Sequence, residues 1–190
     1  MSDTPVVTPE TPAPSPAPKQ PVPTAMCSPM TPEREDEMRR AVVAEALKWV
    51  GTPYYNLGDV IGGGVDCCML LIRAWVDSGL IEPFDPRPYP VQWYMHSDEE
   101  RYLEWLQLCA VEVDEPKMGD IVLWKFGRCF SHSAIMLDPH QVVHALAEHR
   151  TCMVTNINES FLRWIDRSET KTRPVRYFDI FARIREVVGG

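Results

Sequence analysis

Apolar residues in this chain recur at helical spacing as far as about residue 109 and alternate from about residue 121 onward, and that change of period leaves few folds open to it. Thr31-Pro32-Glu33 supplies a cap, a proline for the first turn and an acid beside the positive end of the helix dipole, so a helix is predicted to start there. Met38, Val42, Leu47 and Val50 are read as its apolar face, and Gly51-Thr52-Pro53 as its stop. A second helix is predicted from Cys67 through Leu71, Ile72 and Trp75 to about Gly79, apolar on so many sides that it belongs in the centre of the fold. Ser97-Asp98-Glu99-Glu100 reads as a capping box opening a third helix to about Cys109. Beyond it, Ile121 to Trp124, Ser133 to Leu137, Val142 to Leu146, a short Val154-Thr155 and about Phe178 to Ile184 read as strands separated by turn signals. Helices followed by strands predict an α+β fold in which the Cys67 helix packs on an antiparallel sheet.

Residues 1–30 hold a Pro/Thr/Ala/Ser tract, including Thr11-Pro12-Ala13-Pro14-Ser15-Pro16-Ala17-Pro18, with almost nothing to build a core. They are read as a disordered or polyproline II arm, and the folded domain is placed at 31–190. Positions 82–96 form a proline- and aromatic-rich loop containing Pro88-Tyr89-Pro90 and Trp93-Tyr94. A net charge of −8 with no basic tract sets aside a nucleic-acid partner held through its phosphates. No run approaches the roughly 20 apolar residues of a membrane helix. Met1-Ser2-Asp3-Thr4-Pro5 has no charged-then-apolar pattern, so the chain is expected to start in a cytoplasm and to have no membrane partner. The six cysteines, at 27, 67, 68, 109, 129 and 152, form no C-x-x-C pair and are read as reduced thiols.

One of those thiols stands where chemistry is favoured. Gly62-Gly63-Gly64-Val65 lets the backbone turn sharply, Asp66 is a good N-cap, and Cys67 is then the first helical residue. The helix dipole at that position is expected to lower the thiol pKa from about 8.5 toward or below neutrality. A cysteine nucleophile also needs a base within reach, and the base needs a third group to orient it. His132 opens one predicted strand and His144 lies in the next, with Asp138-Pro139-His140 between them. A hairpin turning about residue 138 or 139 puts both imidazoles on one face, where His132 can act as base and His144 can hold its second ring nitrogen. A one-residue slip would break the arrangement. His96, His140 and His149 are read as surface or packing residues. A zinc site from Cys67, Cys68, His132 and His144 is disfavoured, because adjacent cysteines converge poorly on one metal; no metal or other cofactor is expected. Apolar periodicity does not choose between Cys67 and Cys68.

The series Ala46-Leu47-Lys48-Trp49-Val50-Gly51-Thr52-Pro53-Tyr54, Asp66-Cys67, Gly119-Asp120-Ile121-Val122-Leu123, His132-Ser133-Ala134-Ile135-Met136-Leu137 and His144-Ala145 resembles, in order and spacing, the NlpC/P60 family of papain-like cysteine peptidases. The resemblance covers about residues 34–185. It implies Cys67 as nucleophile, His132 as general base and acid, His144 as the orienting third member, and Tyr54 near the nucleophile at an oxyanion site shared with backbone N–H groups. It implies hydrolysis of an amide in the peptidoglycan stem peptide, between D-glutamate and the diamino acid. Two departures stand out: Cys68-Met69 where the family usually has Ser-Gly, and Ser133-Ala134 where it often has Val-Gly. The 82–96 segment resembles family members encoded among bacteriophage and gene-transfer-agent tail genes, which implies a virion tail tip as location and tail proteins as partners of the N-terminal arm. The competing expectations are a structural tail or tail-assembly component with a vestigial site, and a thiol acyl hydrolase or transferase acting on a substrate other than the wall.

Overall fold

Helix α1, Pro32–Leu47, begins where the cap signals place it: the Thr31 hydroxyl oxygen accepts from the Arg34 N–H at 3.3 Å, and Pro32 fills the first turn. The computed structural model describes residues 30–89, 98–165 and 168–188, so the arm at 1–29 and the residues Trp93, Tyr94 and His96 lie outside the described residues. The buried face of α1 differs from the predicted one. Arg39, Val42 and Ala46 are buried, followed by Trp49, whereas Leu47 and Val50 are 41% and 47% exposed. A charged residue inside the helical stripe disguised its direction.

Helix α2, Cys67–Asp77, buries Met69, Leu70, Leu71, Ile72, Ala74 and Trp75 and forms the centre of the core. Each of the methionine, leucine and isoleucine side chains among them contributes roughly 1.5–3 kcal/mol by area. Trp75 stacks on Trp105 of helix α3, Arg101–Cys109, with ring centroids 6.2 Å apart. The predicted capping box does not open α3. Ser97 lies outside the described residues; the residue before the helix is Glu100, whose carboxylate accepts from the Phe130 N–H at 2.7 Å and so serves a distant strand.

The strands are β1 (Asp59–Val60), β2 (Gly64–Val65), β3 (Val111–Val113), β4 (Ile121–Phe126), β5 (Cys129–Met136), β6 (Gln141–Leu146), β7 (Thr151–Asn156) and β8 (Val175–Asp179). Strands β1 and β2 form a separate hairpin, and the other six form one antiparallel sheet in the order β3-β8-β4-β5-β6-β7. The α+β expectation is therefore met, with helices packed on this sheet. One face, bearing Ile121, Leu123, Ile135, Val143 and Ala145, joins the cluster around α2. The opposite face carries Val122, Trp124, Ala134, Met136 and Val142, covered by Leu162 and Phe161 of the short helix α4, Ser160–Arg163.

The predicted strand over 178–184 is corrected. Strand β8 ends at Asp179, and helix α5, Ile180–Val188, follows at once. Asp179 Oδ1 accepts from the Ala182 N–H at 3.1 Å, and Ile180, Phe181 and Ile184 are the buried stripe of a helix.

One ion-pair centre fastens this frame. Buried Arg39 donates from Nε to Glu35 at 2.8 Å and from Nη1 to Asp120 Oδ1 at 2.6 Å, while its Nη2 lies 2.9 Å from Asp179 Oδ1. The guanidinium also stands 4.3 Å over the Phe181 ring. Gly119, at φ +85°, turns the chain tightly enough for Asp120 to meet Arg39, and this left-handed conformation, rather than lack of space, is what calls for glycine. The Gly119-Asp120 pair thus ties α1, β4 and β8 together.

Candidate active site

Cys67 is the first residue of α2 because Asp66 caps it, accepting from the Met69 N–H at 2.9 Å. The same carboxylate accepts from the Leu57 N–H at 2.7 Å and from the Tyr89 hydroxyl at 2.7 and 2.8 Å. This cap is therefore a hub that holds the loop before the glycine hairpin and the start of the aromatic segment against the helix end. The Gly51-Thr52-Pro53-Tyr54 stretch supports it from below. Gly51 N–H donates to the Cys152 carbonyl and Cys152 N–H to the Thr52 carbonyl, both at 2.8 Å, along the edge of β7. Val65 N–H then donates to the Pro53 carbonyl at 3.0 Å, which sets the height at which α2 begins.

A β-bulge decides what surrounds the thiol. Strand β5 pairs with β4 as Trp124↔His132 and then Lys125↔Phe130, leaving Ser131 as the extra residue. Phe130 packs with the helix-side cluster, whereas His132 turns to the opposite face, against Trp124 at 5.8 Å and Phe126 at 5.0 Å between ring centroids. Ser133 points back toward the helices, where its Oγ donates to the Cys67 carbonyl at 3.3 Å and lies 2.6 Å from the Tyr102 hydroxyl. The Cys67 thiol donates to the Ser131 carbonyl at 3.8 Å, at the peptide group immediately before His132. Thiol and imidazole thus flank one peptide group of β5, and no hydrogen bond joins them among the described residues.

The two histidines do meet. The β5–β6 ladder is Met136↔Val142 and Ile135↔Val143, which turns the hairpin about residue 139 and sets His132 diagonal to His144 on one face. Beyond Ile135 the connection passes from backbone to side chains: His132 Nε2 lies 2.8 Å from His144 Nδ1. His144 Nε2 lies 3.0 Å from Thr155 Oγ1 on β7. A row of three polar side chains therefore crosses three strands inside an otherwise apolar layer. The sequence reading missed Thr155; the register of β7 against β6 brings it there, through Val142↔Thr155. It also missed the Ser133–Tyr102 support, which depends on α3 packing against β5.

Electrostatics reverse one expectation. Burial first, and the Asp66 carboxylate second, push the Cys67 thiol up from 9.0 to about 12, so the helix end does not leave a free thiolate. Asp66 itself is raised by burial, against the hydrogen bonds it accepts. His132 is lowered well below 6.5 by burial, then by His144 and Arg173; burial and then His149 lower His144 to about 4. Neutral thiol beside neutral imidazoles is the resting state at pH 7.

The histidine shifts give a stability prediction. Below pH 6.5 the unfolded chain binds protons at His132 and His144 that the folded chain refuses, so stability present above 6.5 is lost as pH falls toward about 4. At about 1.4 kcal/mol per pKa unit, His144 alone accounts for about 3 kcal/mol. Urea midpoints at pH 7, 5.5 and 4.5 should fall in the wild type and fall less in His144→Asn; parallel slopes in the two proteins would refute the assignment.

Tyr54 is half-buried against the core, bridged to Val65, and its hydroxyl donates to Asn56 Oδ1 at 3.1 Å. His149 is exposed and packs on Phe161 at 4.6 Å, and His140 is exposed at the hairpin turn. Cys67, Cys68, Cys109, Cys129 and Cys152 are unpaired thiols. Among the described residues, no group of three His, Cys, Asp or Glu side chains is placed to hold a metal, and no helix is long and apolar enough to cross a membrane.

A family model described as NlpC/P60 matches residues 51–167. Among solved structures, the fold is similar to the peptidoglycan hydrolase RipB of Mycobacterium tuberculosis, at 17% identity and TM-score 0.51, covering 82% of this chain and 73% of that one. The NlpC/p60 domain of the peptidoglycan hydrolase SagA is 22% identical, covering 73% of this chain and 96% of that one, at TM-score 0.46. RipD of Mycobacterium tuberculosis, described as a non-catalytic NlpC/p60 domain protein adapted to peptidoglycan binding, is 16% identical, covering 75% of this chain and 97% of that one, at TM-score 0.48. No curated protein matches the chain.

Proposed function

Because this chain belongs to the NlpC/P60 family, we propose that it is a cysteine peptidase that hydrolyses an amide bond in peptidoglycan stem peptides, between D-glutamate and the diamino acid. The observation that carries this reading is the thiol at the first residue of α2, one peptide group from an imidazole whose Nε2 is bonded to His144 and whose Nδ1 has no partner among the described residues. Cys67 is the nucleophile and His132 the base. The thiol leaves the Ser131 carbonyl, passes its proton to His132 Nδ1, and attacks the substrate carbonyl. The Cys67 N–H, which has no protein partner among the described residues, receives the developing oxyanion, and Tyr54 helps position the peptide. His132 then returns the proton to the leaving amine and activates the water that releases the acyl group from sulfur.

Starting from neutral partners suits a buried site. Proton transfer is coupled to substrate arrival, which excludes water and strengthens every interaction with the charge that forms. Digestion of purified peptidoglycan followed by mass spectrometry of the muropeptides tests the reading. New fragments ending in D-glutamate, with free diamino-acid amines, are the expected result, and an unchanged muropeptide profile would overturn it.

The finer placement is at the tail of a virus-like particle, with the N-terminal arm as the tether; the aromatic 82–96 segment supports it. The protein should then be found in purified particles, and its confinement to the soluble cell fraction would count against that placement.

A further inference from the structure

We propose that Thr155 is a positioning residue of this site: by accepting a hydrogen bond from His144 Nε2–H, it fixes the direction of the imidazole chain and leaves the lone pair on His132 Nδ1. The inference rests on the reading of Cys67 and His132 as nucleophile and base.

Two neutral imidazoles joined through one hydrogen bond share a single N–H between the facing nitrogens, so the pair has two polarities. In one, His132 Nε2–H donates to His144 Nδ1, His144 carries its proton on Nε2, and His132 Nδ1 is bare. In the other, His144 Nδ1–H donates to His132 Nε2, and His132 carries its proton on Nδ1. Only the first can take a proton from a thiol. Nothing in the imidazoles themselves chooses, because both ring nitrogens of His144 are engaged and each accepts or donates equally well. The choice falls to the group at the end of the row, which is Thr155 Oγ1, 3.0 Å from His144 Nε2.

Burial is why the productive polarity depends on Thr155. His132, His144 and Thr155 are 6%, 0% and 6% exposed. In the unproductive polarity His144 Nε2 is bare and the N–H stands at His132 Nδ1, beside Trp124 and Phe126, facing the site; in the productive one the N–H stands at His144 Nε2, on a fully buried ring, and needs an acceptor there. Buried N–H groups without an acceptor are rarer and costlier than buried acceptors without a donor. The productive polarity leaves only the Thr155 hydroxyl hydrogen to place, and that hydrogen rotates about its C–O bond. A hydroxyl is also the smallest side-chain group that can accept from His144 here without bringing a charge that would draw a proton onto the pair. Valine has the same shape and cannot accept at all.

The test compares Thr155→Val, Thr155→Ala and Thr155→Ser with wild type by imidazole ¹⁵N NMR and by steady-state kinetics on a stem-peptide substrate. In wild type and Thr155→Ser, His132 should carry its proton on Nε2, and kcat should agree within about threefold. In Thr155→Val, and in Thr155→Ala should the valine variant fail to fold, the proton should move to His132 Nδ1, and kcat should fall about a hundredfold with KM unchanged. An unchanged His132 tautomer in the valine or alanine variant would overturn the proposal, whatever the activity, and so would a folded serine variant as inactive as the valine one. Should wild type cleave no stem peptide, the proposed reaction fails while the NMR comparison still decides the role of Thr155.

Discussion

Cys67→Ala should release no stem-peptide fragments from purified peptidoglycan, a loss of at least about a thousandfold, whereas Cys68→Ala should keep most of the wild-type rate. The two thiols are neighbours in sequence but not in surroundings. Cys67 opens α2, and its sulfur rests on the Ser131 carbonyl beside His132. One residue along a helix turns a side chain by about 100°, which sends Cys68 toward the hydroxyls of Tyr89 and Tyr102, away from the imidazoles. Burial and the neighbouring Asp66 charge hold the Cys68 thiol well above 9.0, and its hydrogen-bond partners among the described residues are tyrosines, not an imidazole. Its place in the first turn, where the family usually has serine, is accounted for by packing among tyrosines. Equal rates for the two variants, or loss in Cys68→Ala alone, would sink the assignment of the nucleophile. Circular dichroism on both variants separates a chemical loss from a folding one.

The second large effect concerns stability. Arg39→Met should lower the unfolding free energy by about 3–5 kcal/mol, a large part of the roughly 5–15 kcal/mol typical of a domain. The guanidinium faces three carboxylates, of Glu35, Asp120 and Asp179, and also donates to the Met118 carbonyl at 2.9 Å. Methionine fills most of the same volume and keeps contact with Phe181, but it leaves Asp120 buried without a counter-ion and Asp179 with Arg185 alone. Arg185, also paired with Glu35 and 3.5 Å from Asp179, is 41% exposed and reaches only the outer side of the cluster. Replacing the charge partner as well, in Arg39→Met with Asp120→Asn, should recover part of the loss, since two buried like charges are then no longer left together. Urea unfolding monitored by tryptophan fluorescence measures both variants. A loss under about 1 kcal/mol in the single variant would show that the network contributes little beyond its own desolvation cost.

This second result bears on how the Gly119-Asp120 motif is read. Gly119-Asp120-Ile121-Val122-Leu123 is one of the motifs that carry the family resemblance, yet Asp120 is spent on Arg39, and Gly119 provides the turn that lets it reach there. The motif acts on the site by fixing where β4 starts, and hence the register in which β5 lies against it. A motif can therefore be diagnostic of a family while its residues stand outside the chemistry.

Local features were the legible ones. Asp66 as a cap, Cys67 as the first helical residue, the apolar α2 and the antiparallel hairpin carrying His132 and His144 each follow from contacts within a few residues, or from alternation along a strand. Short-range patterns are stated in full by the sequence because the groups that satisfy them are a fixed number of residues away. Where the partner was distant, the same patterns misled. Ser97-Asp98-Glu99-Glu100 spells a capping box, but the Glu100 carboxylate is claimed by the Phe130 N–H. Leu47 and Val50 look like core, but Arg39 finds buried carboxylates and turns the helix to suit them. The alternation through 178–184 continues a strand on paper, and the Asp179 cap with its packed helical stripe ends it.

By itself, then, the sequence determined that a thiol stands at the head of a central helix and that two histidines share a face of an antiparallel hairpin. Only the tertiary structure decided that the bulge at Ser131 turns His132 to the opposite face from Phe130, that the thiol is neutral and bound to a carbonyl, and that Thr155 ends the imidazole row. The physical reason is the same in each case. Face, protonation and hydrogen-bond direction depend on burial and on strand register, and both arise between segments that the chain brings together only when it folds.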